Sequence, residues 1–127
     1  MAIFGIGTDV VDVRRIAALH RRHPERFPRR ILVGAELADF AATRAKAAFL
    51  AKRFASKEAA SKALGLGFRQ GLRFTDFEVT HNDLGRPALR LHGRAAELAA
   101  RAGIEAIHLS IADEAETAVA FVLLETS

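Results

Sequence analysis

The stretch RFASKEAASKALGLG, residues 53–67, leaves this chain less conformational choice than any other. It is the second half of a helical pattern that begins near Ala45. Alanine dominates it, proline is absent, and Gly65-Leu66-Gly67 follows the last turn. Alanine and leucine favour helix, and a glycine just past the last turn is a common stop. The pattern therefore predicts one long helix over residues 45–64. Its apolar stripe runs through Ala47, Leu50, Ala51, Phe54, Ala55, Ala59 and Ala63 at helical spacing. Glu58 stands four residues after Phe54 at the edge of that stripe. Lys62 stands four residues after Glu58, so the two side chains point the same way. Two meanings are open. The pair is a plain i,i+4 ion pair, worth roughly a few tenths of a kcal/mol, or it is a carboxylate and an ammonium that hold a metal and a phosphate one turn before a glycine loop.

The remaining segments arrange themselves around that helix. Residues 3–11 are apolar, β-branched and contain glycine, which reads as a strand. Residues 13–23 read as a short helix, with Val13, Ile16, Ala17 and Leu19 or His20 on one side and Arg14, Arg15, Arg21 and Arg22 on the other; Pro24 stops it. Residues 26–32 (RFPRRIL) read as a basic connector, and residues 34–43 as a second short helix with Glu36 early in it. After the glycine loop at 65–71, residues 74–81 alternate like a strand. A turn at 82–87 (NDLGRP) returns the chain as a short strand at 88–91. Residues 93–102 read as a helix stopped at Gly103. Residues 108–112 and 117–125 read as a final hairpin. Hairpin neighbours of this kind imply an α+β fold: a mostly antiparallel sheet packed against a long central helix and shorter helices. No repeat or linker interrupts the pattern, so residues 1–127 are expected to form a single domain.

Composition narrows the function classes. There is no cysteine, which excludes disulfides, thiolate metal sites and a cysteine nucleophile. No apolar run approaches the ~20 residues that span a bilayer. The first residues carry Asp9 and Asp12 and no basic cluster, unlike a signal peptide. A cytoplasmic setting, with no membrane partner, is the expectation. A net charge of +4 suits an acidic partner: nucleic acid, an acidic protein or a phosphorylated small molecule.

Three places combine polar groups with apolar context. The first is Asp9 with Asp12. Asp9 is either the N-cap of the following helix or a carboxylate in an apolar run that needs a cation. The second is Glu58 with Lys62. The third is residues 108–113 (HLSIAD), where His108 and Ser110 share one strand face and Leu109 and Ile111 the other. Asp9 and Glu58 come from distant elements, with no cysteine and no His-x-x-x-His spacing. Two such carboxylates suit a hard cation such as Mg²⁺ rather than zinc. Mg²⁺ fills its remaining positions with water and phosphate oxygens. Arg53, Lys57, Lys62 and the loop amides after Leu64 are placed in sequence to meet those phosphates. Neither common nucleotide loop is present; Gly5-Ile6-Gly7 lies in a strand and lacks a third glycine.

GIGTDVVDVRRI at residues 5–16 and FLAKRFASKEAASKALGLG at residues 49–67 closely resemble the two signature segments of the bacterial holo-acyl-carrier-protein synthases, small 4′-phosphopantetheinyl transferases. FEVTHNDLGRPALRL at 77–91 and IHLSIADEAETAVAFVLLE at 107–125 resemble later segments of that family. The match is weakest between His20 and Ala48. R-F-A-x-K-E-A-x-x-K-A, about fifty residues after G-x-D, is the specific part. Two departures stand out. Many members have Gly-Thr-Gly where this chain has Gly65-Leu66-Gly67, and some have a second histidine where it has Ala112-Asp113.

The resemblance implies the 4′-phosphopantetheinyl transferase fold and a Mg²⁺-dependent enzyme of fatty acid biosynthesis. Such an enzyme moves the 4′-phosphopantetheine arm of coenzyme A onto a serine of apo acyl carrier protein and leaves adenosine 3′,5′-bisphosphate. It makes Asp9 and Glu58 the metal ligands and, with Lys62 at the pyrophosphate, the catalytic set. It places Arg53, Lys57, Gly65 and His108 around the coenzyme, and Arg14, with Arg21 and Arg22, on the carrier-protein face. A metal-bound water, Glu58 or Asp113 takes the serine proton. It also implies a homotrimer with sites between subunits, in keeping with residues 117–124 (TAVAFVLL), which are apolar on both strand faces. The competing readings are a small basic nucleic-acid-binding domain, which the lack of tyrosine and tryptophan disfavours, and a non-catalytic coenzyme- or nucleotide-binding module.

Overall fold

The computed structural model describes residues 1–127. The elements are β1 (Ala2–Asp12), α1 (Val13–Arg22), α2 (Arg26–Ile31), α3 (Ala35–Ala42), α4 (Lys46–Ala63), β2 (Phe77–His81), β3 (Pro87–Leu91), α5 (Gly93–Ala102), β4 (Ile104–Glu114) and β5 (Thr117–Thr126). They form two antiparallel sheets, one three-stranded in the order β1-β5-β4 and one two-stranded, β2-β3. The long helix α4 lies across the three-stranded sheet. Leu50, Ala51, Ala55, Ala59 and Ala63 of that helix meet Ala118, Ala120, Val122 and Leu124 of β5, all at most 3% exposed.

Small residues make this packing tight, and β1 makes it tightest. A Cβ on Gly5 would overlap the carbonyl oxygen of Ala63, and one on Gly7 would overlap that of Ala59. The two glycines in the strand are therefore the places where helix backbone rests on strand backbone. They belong to no nucleotide loop; they let α4 approach β1. Register does the rest: Gly5, Gly7, Asp9 and Val11 alternate onto the inner face, opposite Leu124, Val122, Ala120 and Ala118.

The outer face of the same sheet is uncovered. Ile6 is 55% exposed, Val10 66%, and Val119 and Phe121 38% each. The doubly apolar pattern of β5 thus splits into one face against α4 and one facing outward, where His108 and Ser110 of β4 stand opposite Leu123 and Phe121.

Three local expectations change. Residues 26–32 are a helix, α2, rather than an extended connector. Pro28 is its third residue, within the first turn, where the missing N–H costs nothing. Residues 74–76 form a 3-10 turn before β2 begins, because the Asp76 carboxylate accepts the Arg73 N–H at 3.0 Å. β4 starts at Ile104, directly after Gly103 at φ 74°, and not at His108.

Gly7→Ala is expected to destabilise the protein by roughly 3 kcal/mol or more, since the obstructing atom is backbone and cannot swing aside. Urea unfolding of the variant beside wild type measures it; an unchanged midpoint would contradict the close approach.

Candidate active site

Strand β1 brings Asp9 to the inner face two residues after Gly7, and α4 presents Glu58 and Lys62 one turn apart above it. Lys62 Nζ donates to Asp9 Oδ1 at 3.0 Å and to the Thr8 carbonyl at 3.0 Å. The Asp9 side chain is 15% exposed and that of Lys62 49%. Burial raises the Glu58 carboxyl above its ordinary range, and the charge of Asp9 raises it further; Lys62 and Arg15 pull the other way. Two carboxylates thus share one ammonium, with Arg15 acting on Glu58 from α1. Their donors are oxygens only, and no third histidine, cysteine or carboxylate completes a cluster. That set suits an ion that keeps most of its shell for water and phosphate oxygens, which is Mg²⁺ chemistry rather than zinc chemistry.

Asp9 does not cap α1. Asp12 does, accepting the Arg14 N–H at 2.8 Å, and the Arg14 hydrogen bonds hold its carboxyl below the usual range. Asp12 and Asp9 therefore part company: one finishes the strand, the other faces the site.

The paired arginines Arg14 and Arg15 divide in the same way. Arg14 is directed to Asp12 at 2.9 Å and Glu116 at 3.6 Å, away from Glu58. Arg15, about 100° further round the helix, lies over the Phe54 ring, 5.7 Å from its centroid, and its charge acts on Glu58. Arg15 is the residue that sequence reasoning missed. The adjacent arginines look equivalent until the helix azimuth is known. Arg21 and Arg22 are exposed in the last turn of α1.

Below Arg15, a cleft of ≈ 340 Å³ runs between α1, α2 and α4. Leu19, Phe27, Phe54 and Phe74 line it, Glu58 lies in its wall, and His23, Arg26 and Arg30 give it a basic margin. Phe74 continues the wall by stacking on Phe54 and on Phe68 of the glycine loop, at 5.2 and 4.1 Å between centroids.

The other expected site residues are elsewhere. Lys57 is fully buried, bound to Glu36 at 2.7 Å and to the Ile31 carbonyl, so its ammonium does not line a coenzyme surface. The glycine-loop amides are also committed: Gly65 N–H donates to the Lys62 carbonyl, and Leu66 and Gly67 N–H both donate to the Ser61 carbonyl. Gly65, at φ 84°, ends the helix in the left-handed conformation that glycine adopts freely. These three amides are therefore not free to receive a phosphate, whereas the Lys62 side chain is half exposed.

Arg53 and Asp113 line a second hollow of ≈ 460 Å³, with Lys52 and His81. His108 lines an adjoining one of ≈ 410 Å³, with Arg86 and Asn82; His81 and Pro87 belong to both. Burial and the charges of Arg53 and Lys52 push the His81 imidazole down. Asp39 and Asp113 offset Lys52 and Arg53 in the hollow with Arg53, and Arg86 makes the His108 hollow the one fit for an anion. His108 is on β4, one sheet edge, and Asp9 on β1, the other, with β5 between; the two also sit on opposite faces. One chain does not bring them together.

The family model for the 4′-phosphopantetheinyl transferase superfamily matches residues 5–122. The chain belongs to that superfamily. It is 53% identical over 125 residues to a holo-[acyl-carrier-protein] synthase of Edwardsiella ictaluri, spanning 98% of this chain and 99% of that one. Among solved structures, the holo-[acyl-carrier-protein] synthase of Neisseria meningitidis superposes with a TM-score of 0.91 at 39% identity, covering 98% of this chain and 99% of that one. A holo-(acyl-carrier-protein) synthase from Bacillus anthracis, solved in complex with CoA (3′,5′-ADP), superposes at 0.84 with 35% identity over 100% of both chains. The α+β architecture, with its antiparallel sheet and long helix, is thus the superfamily's own.

The raised Glu58 carboxyl has a consequence for stability. Without divalent ions, the ionised form is disfavoured in the folded state, so it costs stability at neutral pH and nothing once Glu58 is protonated. Glu58→Gln is expected to raise the metal-free Tm at neutral pH, and the gain should vanish as the pH falls below the ordinary carboxylate pKa. Calorimetry across that range checks it; a lower Tm at neutral pH would refute the cost of ionising Glu58 in its buried place beside Asp9.

Proposed function

We propose that this protein transfers the 4′-phosphopantetheine arm of coenzyme A to a serine hydroxyl of an apo acyl carrier protein, as a holo-[acyl-carrier-protein] synthase. The observation that carries the reading is the convergence of Asp9, Glu58 and Lys62 in a member of this superfamily. The serine oxygen forms a bond to the pantetheine-bearing phosphorus, the bridging P–O bond of the pyrophosphate breaks, and adenosine 3′,5′-bisphosphate leaves. Such a transfer asks the protein for position and charge neutralisation more than for covalent chemistry. Mg²⁺, held by Asp9 and Glu58, supplies Lewis acidity to the pyrophosphate when bound. Lys62, already within 3.0 Å of Asp9, adds a cation at the same place. Of the two carboxylates named for the serine proton, Glu58 is at the site and Asp113 lies across the sheet, so within one chain only Glu58 is in reach.

The carrier is acidic chemistry meeting a basic face. Arg21 and Arg22 on α1, with Arg15, Arg26 and Arg30 round the cleft, supply long-range attraction and orientation. Arg14 contributes least, because Asp12 and Glu116 already neutralise it. The trough with His108, Arg86, Arg53 and His81 is the proposed seat of the coenzyme's nucleotide end, with Arg86 as its cation. No helix is long and apolar enough to cross a membrane, and a cytoplasmic reaction is the setting we assign.

A single assay tests the transfer. Apo carrier incubated with coenzyme A and Mg²⁺ is expected to gain the mass of one phosphopantetheine arm, and to gain nothing in excess EDTA. Asp9→Ala and Glu58→Gln should lower kcat about 100-fold or more with the fold intact. Arg15→Glu should raise the carrier KM about tenfold, and Arg14→Glu much less. Equal transfer in EDTA would overturn the metal-dependent mechanism.

We also propose a homotrimer. Two features support it: the uncovered apolar face with Ile6, Val10, Val119 and Phe121, and the separation of His108 from Asp9 within one chain. A neighbour on that face covers the first and brings a second chain's trough towards the first chain's Asp9. Light scattering on a sizing column should give three times the chain mass. Phe121→Asp should give an inactive monomer with unchanged circular dichroism; a fully active monomer at micromolar concentration would end the proposal.

A further inference from the structure

Glu36 and Lys57 are the only charged residues with no exposure, and neither reaches the cleft. A buried ion pair is a poor source of net stability: packed apolar residues of the same volume often do as well or better. What this pair has is direction. Glu36 Oε1 accepts from Lys57 Nζ at 2.7 Å and from the Val33 N–H at 2.9 Å, and its Oε2 accepts the Val79 N–H at 3.0 Å. Lys57 donates also to the carbonyl of Ile31, the last residue of α2. Helices α2, α3 and α4 and strand β2 are joined through these two side chains. Arg53, one turn before Lys57, adds its Nε at 3.3 Å from Glu36.

The junction lies next to the chemistry. Lys57 is the neighbour of Glu58 in α4, so whatever sets the rotation of Lys57 sets that of Glu58. The alanines packing α4 on the sheet determine distance and little else, since apolar contact is non-directional. Helix α2 has only six residues, too few to be stable alone. Yet its Arg26, Phe27 and Arg30 form the wall of the cleft that faces Phe54 and Glu58. Its C-terminal carbonyl is held by Lys57.

We propose that Glu36 and Lys57 are positioning residues: together they fix the rotation of α4 and the seat of α2, and so hold the carrier-facing wall of the cleft at its working distance from Glu58. This rests on the transfer reading above. The pair acts through its neighbours and touches neither coenzyme nor carrier.

The test is the double variant Glu36→Gln/Lys57→Met, which removes the pair's two charges together, keeps volume, leaves an amide oxygen for a backbone N–H, and leaves Arg53 the charge of Asp39. It is expected to melt within a few degrees of wild type and to bind coenzyme A with unchanged Kd in the absence of carrier. It should lose about 100-fold in kcat/KM for the carrier, the scale of a small misplacement. Hydrogen exchange should quicken in residues 26–31 and stay unchanged in residues 50–63. Lys57→Met alone should melt well below wild type, because it takes from the buried Glu36 carboxylate its closest cation and from the Ile31 carbonyl its donor. Adding Glu36→Gln should restore its Tm without restoring carrier turnover. Lys57→Arg, which keeps the charge and moves the donor, gives a second measure if the double variant does not fold: about tenfold lower carrier kcat/KM at unchanged coenzyme Kd. Wild-type carrier turnover in whichever variant folds, or losses in coenzyme affinity and carrier turnover that simply follow Tm, would overturn the proposal. If wild type transfers no arm at all, the transfer reading fails, and the exchange pattern in residues 26–31 still decides whether the pair seats α2.

Discussion

At Gly5 and Gly7 the backbone of β1 lies under the carbonyl oxygens of Ala63 and Ala59 with no side chain between them. That contact sets the separation of α4 from the sheet, and the site inherits it. Asp9 is two residues beyond Gly7 on the same strand face. Glu58 and Lys62 flank Ala59 and Ala63 on the helix. A strand with larger residues at 5 and 7 would push α4 outward, and Lys62 could no longer span to Asp9 and the Thr8 carbonyl at 3.0 Å each. The alanines of α4 serve the same end from the other side, as small residues that permit approach along the whole length of β5.

Two electrostatic clusters share α4, and they are built on opposite principles. Glu36, Lys57 and Arg53 are buried, two cations on one carboxylate that backbone donors also support. Asp9, Glu58 and Lys62 are half-open, and burial, with the charge of Asp9 added, raises the Glu58 carboxyl. The first is closed to solvent, with the Glu36 carboxylate fully hydrogen-bonded, and holds the elements in place. The second gains by admitting a cation. Because Lys57 and Glu58 are consecutive, the rigid cluster and the open one are set about 100° apart on a single helix.

The elements themselves were largely legible. The long helix, its glycine stop, the first strand and the two hairpins follow from periodicity and turn residues, because these are local properties of the chain. Residues 26–32 were not, since a proline and three arginines carry no helical period; α2 exists because Phe27, Pro28 and Ile31 pack against its neighbours and Lys57 takes its last carbonyl. The spacing of Asp9, Glu58 and Lys62 suggested a shared site, and their meeting depended on glycines whose purpose in the strand no pattern announced.

What the sequence determined by itself was the inventory: a helix with a carboxylate and an ammonium on one edge, a second carboxylate in an apolar strand, a basic first helix, and no cysteine. Tertiary structure alone decided which of those groups face one another. It turned Arg15 rather than Arg14 toward Glu58, withdrew Lys57 from the surface to Glu36, spent the glycine-loop amides on closing α4, and set His108 on the far edge and outer face of the sheet. The reason is geometric. Neighbouring residues on a helix diverge by about 100° and on a strand by about 180°, so function among adjacent charged residues is assigned by rotation, and rotation is set by what packs against the other side.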